Sequence, residues 1–226
     1  MLKSYTPQYL GLKESDEGEF SYRLEYLHNT ALNELFVFSE MPNTIWKNIL
    51  GHCLDFIQDC KLEVSPKDAI TQDLNQLFGA KTLERLEEFR LNKGFELSDA
   101  WCFNNEFSVS IEEMLFESEK YLPSGNELST LMHGDFCFSN ILYDFRADRI
   151  KTIDPRGITP SGDVTIYGDT LYDLGKLSHS VLGMYDWIVA GYHQTDLDWE
   201  QKNIRISISG EVKHKDTQSM FIEMVG

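Results

Sequence analysis

The chain has 226 residues, 42% hydrophobic and 25% charged, enough to bury a sizeable core as one large domain or two small ones. Twenty Lys and Arg against 37 Asp and Glu leave a formal net charge of −17, which excludes electrostatic wrapping of nucleic acid and biases substrates toward neutral or cationic molecules. The first 25 residues lack an apolar signal core, no apolar run approaches the ~18–20 residues of a membrane span, and the four cysteines form no CxxC pair. The expectation is a cytoplasmic protein with reduced thiols and no membrane insertion. A nucleotide site stays compatible with the acidity, because one metal ion reverses the sign of a small site.

Turn formers Pro7, Gly11 and Gly18 surround the short apolar stretch Tyr9–Leu12. Ser21–Leu27 alternates, with Tyr22, Leu24 and Tyr26 on one face, and predicts a half-buried strand. After the start signals Pro42 and Asn43 the period changes: Ile45, Ile49, Cys53, Phe56 and Ile57, flanked by Trp46 and Leu50, trace a helical face. A further helix is expected after Pro66, with Ile70, Leu74, Leu77 and Phe78 inside. Gly79 then breaks it before Leu83, Leu86 and Phe89 resume the pattern. Ser110 followed by Glu113 is a capping-box signature for a helix running to about Leu122, ended by Pro123-Ser124-Gly125.

Short strands follow at Leu128–Met132, Ile141–Asp144 and Arg149–Ile153, the last two joined by a hairpin turn at Phe145–Asp148. A helix is predicted from Asp169 to Val181 with Leu171, Leu174, Leu177 and Ser178 at core spacing, and Met184–Tyr192 is read as helical too. Ile204, Ile206 and Ile208 alternate as in a strand, and the last ten residues begin another helix. Helices dominate and the strands are few and short, so the fold class is α+β.

The informative segment is Leu131–Asp154, LMHGDFCFSNILYDFRADRIKTID. A strand leads into His133-Gly134-Asp135, and Asn140 starts a hairpin whose far end is Asp154, so those two side chains share one end of it. Asp135 has the chemistry to take a hydrogen bond from a hydroxyl, and a carboxamide oxygen with a carboxylate are hard ligands for magnesium. His, Gly, Asp and Asn at these spacings arise by chance in about one chain per thousand of this length. Each residue also has a plainer reading: Asp135 as a turn former, Asn140 as a turn cap, Asp154 as a strand end before Pro155. His133 is read as a buried structural histidine, Cys137 as a passive small residue, Asp169 as a helix N-cap and Trp46 as core, with Trp101 and Trp187 open between core and pocket.

His133-Gly134-Asp135-Phe-Cys-Phe-Ser-Asn140 followed by Ile153-Asp154 resembles the catalytic core of the aminoglycoside phosphotransferase and choline kinase-like family. The HGDFCFSNIL…IDPRG form is similar to kinases of surface-polysaccharide gene clusters. The resemblance implies a protein-kinase-like fold, an ATP-dependent phosphotransferase acting on a hydroxyl of a sugar, amino sugar or amino alcohol, and the cofactors ATP and Mg²⁺. It makes Asp135 the catalytic residue and Asn140 and Asp154 the metal and cofactor ligands, with His133 packing beneath the loop. Asp173, in Tyr172-Asp173-Leu174, would brace that loop from a helix. Pro155-Arg156-Gly157 departs from the usual residues after the metal Asp, and Arg156 is either a grip on a phosphate or carboxylate of the acceptor or a structural partner of Asp163 or Asp169. Covering about residues 1–195, the resemblance assigns 1–28 to a remnant of the smaller N-terminal lobe and the hinge, with Glu25 and Leu27 contacting the cofactor. Residues 29–226 would form the helical C-terminal lobe, and the N-terminal lobe would be largely missing, since neither Lys3 nor Lys13 sits in the expected strand. Two other readings stay open: a catalytically incomplete, kinase-like binding module or fragment, and a metal-dependent hydrolase.

Overall fold

A computed structural model describes residues 2–15, 18–74, 76–94, 96–122 and 129–226. The chain opens with strands β1 (Tyr9–Glu14) and β2 (Phe20–Leu24), which pair only with each other, and continues through β3 (Thr30–Ala31) into helices α1 (Leu32–Phe38) and α2 (Asn43–Lys61). A π-helical turn at Gln76–Ala80 runs into α3 (Lys81–Lys93), followed by β4 (Trp101–Phe103), β5 (Phe107–Val109) and α4 (Ile111–Glu119). Then come β6 (Thr130–Leu131), the hairpin β7 (Ile141–Asp144) and β8 (Arg149–Thr152), β9 (Tyr167–Gly168), and helices α5 (Thr170–Val181) and α6 (Tyr185–Val189). Strands β10 (His193–Asp198) and β11 (Asn203–Ile208) and helix α7 (Glu211–Val225) complete the chain. The sheets are small, ordered β1-β2, β10-β11-β4-β5, β3-β7-β8 and β6-β9, and the β11–β4 pair alone is parallel. The architecture is therefore α+β, with no central sheet.

The core forms around α2. Its 3.6-residue period turns Trp46, Ile49, Leu50, Cys53, Phe56, Ile57 and Cys60 inward, against α5, α7 and β8. Leu32 and Phe36 of α1, Leu177 and Val181 of α5, Phe221 of α7, and Ile141 and Ile150 of the hairpin close the same cluster. Each large side chain buried there contributes about 1.5–3 kcal/mol. The hairpin is thereby held by its apolar face. Its turn is as expected: Asp144 Oδ1 accepts from the amides of Arg146 and Ala147, and Asp148 takes the left-handed conformation at φ 47°. The capping box at α4 also forms, with Glu113 N donating to Ser110 Oγ and Ser110 N to Glu113 Oε2.

Other expectations are corrected. The strand near Ser21–Leu27 exists as β2 but is exposed along its whole length, because among the described residues the β1–β2 ribbon is a two-stranded sheet of its own with no covering layer. The helix expected after Pro66 begins only at Leu74, where Leu77 N bonds Asp73 O and Leu74, Leu77 and Phe78 pack together as expected. Before it, Gln72 N bonds Tyr167 O, Gln72 Nε2 bonds Ile158 O, and Thr165 Oγ1 bonds Ile70 O, so over the first residues after Pro66 cross-chain bonds replace the i→i−4 ladder and leave Ile70 exposed. Gly79 does not break the pattern, since the π turn carries the backbone through it, and Leu83 and Phe89 of α3 are exposed. Leu171 is likewise half out of the core. Helix α4 stops at Glu119 rather than about Leu122, and its Pro123-Ser124-Gly125 terminator lies outside the described residues, as does Leu128 of the predicted strand. The C-terminal helix starts at Glu211, before the last ten residues. Trp187 belongs to the interior, lying where a Cβ on Gly210 would overlap its ring, whereas Trp101, although buried, lines an apolar cavity of about 360 Å³ with Phe103 and Trp199.

Candidate active site

The segment Gly134–Asn140 is held by alternation. Phe136 and Phe138 are fully buried: Phe136 stacks on Phe56 at 4.7 Å between centroids, and Phe138 meets Phe36 edge-on at 5.2 Å. Such pairs add about 0.5–1.5 kcal/mol each to their area burial. With these two rings sunk in the core, Asp135 is left on the accessible side, while Phe138 N is fastened to Ser180 Oγ of α5 at 3.1 Å. Gly134 makes the turn at φ 80°, and a Cβ there would stand 2.7 Å from Cβ of Arg156, so both backbone sign and space call for glycine.

Beneath the turn lies Asp173, fully buried on α5. Its Oδ2 accepts from His133 N at 2.7 Å and its Oδ1 from Gly134 N at 2.8 Å. Burial raises its pKa to about 6, the Asp135 charge adding to the rise and the two amide bonds opposing it. The His133 ring is committed on both sides: Nδ1 accepts from Asp135 N at 3.3 Å, so Nε2 carries the proton and donates to Ile153 O at 3.0 Å. Burial lowers its pKa, the Ile153 bond and the Asp135 and Asp154 charges opposing. With both nitrogens bonded, the ring ties the turn to Ile153, just past the end of β8.

Asp135 is half-buried. Lys176 Nζ of α5 lies 2.8 Å from its Oδ1, and Asn140 Nδ2 donates to its backbone O at 2.9 Å and to its Oδ2 at 3.2 Å. Lys176 is pushed up in pKa: burial lowers it, but the Asp135 hydrogen bond and charge outweigh that. The Asn140 amide is thereby oriented, its nitrogen toward Asp135 and its Oδ1 taking no hydrogen bond from the described residues. Ile153 N donates to Asn140 O at 3.0 Å, extending the β7–β8 ladder and drawing Asp154 to the same end of the hairpin as Asn140. Asp154 is exposed, stands at φ 55°, and accepts no hydrogen bond from the described residues. Among the described residues no group of three or more His, Cys, Asp and Glu side chains is placed to hold a metal. Two uncommitted hard oxygen donors at one hairpin end still suit a magnesium ion that takes its remaining ligands from phosphates and water.

Arg156 does not pair with Asp163 or Asp169. Asp169 caps α5 by accepting from Leu171 N, and Asp163 accepts from Ser161 Oγ. Instead Arg156 N donates to His133 O, its Nε to Gly134 O at 2.9 Å and its Nη2 to Tyr172 OH at 3.2 Å, with the guanidinium over the Tyr172 ring. It also lines a cavity of about 620 Å³ together with Gln76, Lys81, Glu84, Thr159 and Ser161. Glu25 and Leu27 border a separate cleft of about 620 Å³, formed with Tyr143, Arg149 and Lys151 of the hairpin. Cys137 is buried, 3.2 Å from Ser139 Oγ, in keeping with a passive role.

Sequence reasoning missed Lys176 and Ser180. Both lie on the Asp173 stripe of α5, at i+3 and i+7, and that spacing was the available signal. The arrangement presents an oriented carboxylate able to take a hydroxyl proton, a cation beside it, and two oxygen donors for a divalent ion.

No protein-family model matches the chain, and no curated protein matches it in sequence. Among solved structures, an aminoglycoside-3'-phosphotransferase of type VIII aligns with 97% of this chain and 76% of its own, at 15% identity and a TM-score of 0.42. At that score the likeness is loose, and the functional reading rests on the site's own geometry.

Proposed function

We propose that this chain is an ATP-dependent phosphotransferase that phosphorylates a hydroxyl of a small molecule, with a role in surface-polysaccharide biosynthesis in the cytoplasm. The observation that carries the reading is the joint placement of Asp135, Lys176, Asn140 and Asp154 at one end of the β7–β8 hairpin. Asn140 Oδ1 and the Asp154 carboxylate would hold Mg²⁺, and the cleft bordered by Glu25 and Leu27 would hold the nucleotide. Bound MgATP would supply the phosphoryl group and neutralise the charge on it. Asp135 accepts the hydrogen bond of the acceptor hydroxyl and takes its proton late, since a loose phosphoryl-transfer transition state needs little base strength. Lys176, 2.8 Å from Oδ1, fixes that carboxylate in direction, and Asp173 with His133 keeps the turn rigid. Residues 29–226 form the lobe carrying this loop, and 1–28 contribute the hinge side of the nucleotide cleft.

A thermal-shift titration with MgATP tests this. Ligand at 100 times its Kd adds about 2.7 kcal/mol, roughly 5–11 °C for a chain of this size. Wild type should shift, Asp154→Ala should not, and Asp135→Asn should shift while losing about 10²–10⁴-fold in turnover. A shift that is insensitive to metal and to Asp154→Ala would sink the assignment. Phosphoester cleavage without nucleotide would point to a hydrolase instead.

A further inference from the structure

We propose that the acceptor carries an anionic group, a carboxylate or a phosphate, bound by Arg156 and Lys81 in the cavity beside the Asp135 turn. This rests on the phosphotransferase reading and narrows its substrate class. The chain has 37 acidic residues against 20 basic, yet both large clefts beside the hairpin and the turn gather more cations than carboxylates. The cavity that Arg156 lines holds Arg156 and Lys81 against Glu84.

Neither cation is neutralised by a close carboxylate. Among the described residues the ion pairs within 4 Å include neither Arg156 nor Lys81. Arg156 spends Nε and Nη2 on neutral oxygens, Gly134 O and Tyr172 OH. Asp173 feels its charge, but both oxygens of that carboxylate are committed to the amides of His133 and Gly134. Nearby Asp163 is occupied by Ser161 Oγ. The guanidinium is thus pinned in place with Nη1 uncommitted, which is how a fixed fork for a carboxylate or phosphate is built.

Arg156 is the lining residue that joins the cavity to the Asp135 turn. Arg156 packs against Gly134, one residue before Asp135, and its own amide is bonded to His133 O. About 620 Å³ is within the range of small-molecule sites. Gln76, Glu84, Thr159 and Ser161 supply neutral and acidic partners for hydroxyl groups. The occupant that fits is a polyhydroxylated acid or a sugar phosphate. A protonated amine would face two cations with only Glu84 to pair with, so amino sugars and amino alcohols fit poorly.

The test is direct binding to the full chain, by saturation-transfer NMR and calorimetry, of D-glucuronate, D-glucose 6-phosphate, D-glucose and D-glucosamine. Wild type is compared with Lys81→Gln and Lys81→Glu, and circular dichroism confirms that each folds. At least one anion should bind tenfold or more tightly than glucose. Lys81→Gln should weaken it about tenfold and Lys81→Glu more, and the latter should improve glucosamine. The tighter of the two anions separates carboxylate from phosphate. Anions no better than glucose, or unaffected by either Lys81 variant, overturn the proposal. A parallel MgATP titration keeps the two readings apart: nucleotide binding without anion preference defeats this inference alone, and anion preference without nucleotide binding defeats the phosphotransferase.

Discussion

Replacing Asp173 by Asn keeps the side-chain volume and removes its charge, and the structure fixes what pH should then do. The wild-type carboxyl is fully buried, and burial lifts its pKa from 3.8 to about 6 against the pull of two amide hydrogen bonds. Between those values the folded chain holds a proton that the unfolded chain has released. Stability from this group is therefore present in acid and lost as pH rises, by about 3 kcal/mol in all between roughly pH 4 and 6. The Asn variant lacks that titration. Its amide accepts from one of the two N–H groups and opposes the other, a pH-independent cost of about 1–3 kcal/mol. Urea unfolding of both proteins at pH 4, 5, 6 and 7 gives the difference directly. Wild type minus variant should fall by about 3 kcal/mol across the series. A difference that is flat, or that grows with pH, would refute the account of Asp173 as a carboxylate held charged, at a cost, to grip the turn.

His214 should do the opposite. It donates through Nε2 to Phe36 O at 2.7 Å, and burial, with Lys213 adding to it, lowers its pKa to about 4. Its contribution is full above pH 6.5 and lost on acidification toward pH 4, about 3 kcal/mol that His214→Gln should abolish in the same urea series. The two windows overlap with opposite signs, so wild type alone should show little net slope from them. Gly134→Ala places a Cβ at φ 80° and 2.7 Å from Arg156, and should cost about 2–4 kcal/mol in denaturant stability. Lys176→Met should change stability by no more than about 1 kcal/mol, because the pair with Asp135 is partly exposed. Turnover should nevertheless drop about 10²-fold from the misdirected carboxylate, measured beside Lys176→Arg, which should recover part of it.

What could be read from residue order was whatever depends on near neighbours. The stripe of α2, the capping box at Ser110, the Phe145–Asp148 turn and the α5 N-cap at Asp169 are local physics, and each formed where its spacing placed it. The Asp135, Asn140 and Asp154 set was legible for the same reason: a hairpin of known length returns Asp154 beside Asn140. Asp173 was found only through resemblance, and Lys176 not at all, because α5 is distant in sequence and reaches the turn only through packing on α2. Burial failed where a third partner decides it. The alternation of Tyr22 and Leu24 promises a covered face, yet β2 is exposed along its whole length, and Ile70 lost its helix to bonds with the 158–167 segment while Leu77 kept its buried place. Residue order offered Arg156 as an anion grip, but the second cation of its cavity belongs to tertiary structure alone. An acidic chain argues for cationic substrates until the fold gathers Lys81 and Arg156, 75 positions apart in sequence, onto one wall, because electrostatics follows distance in space and composition carries none.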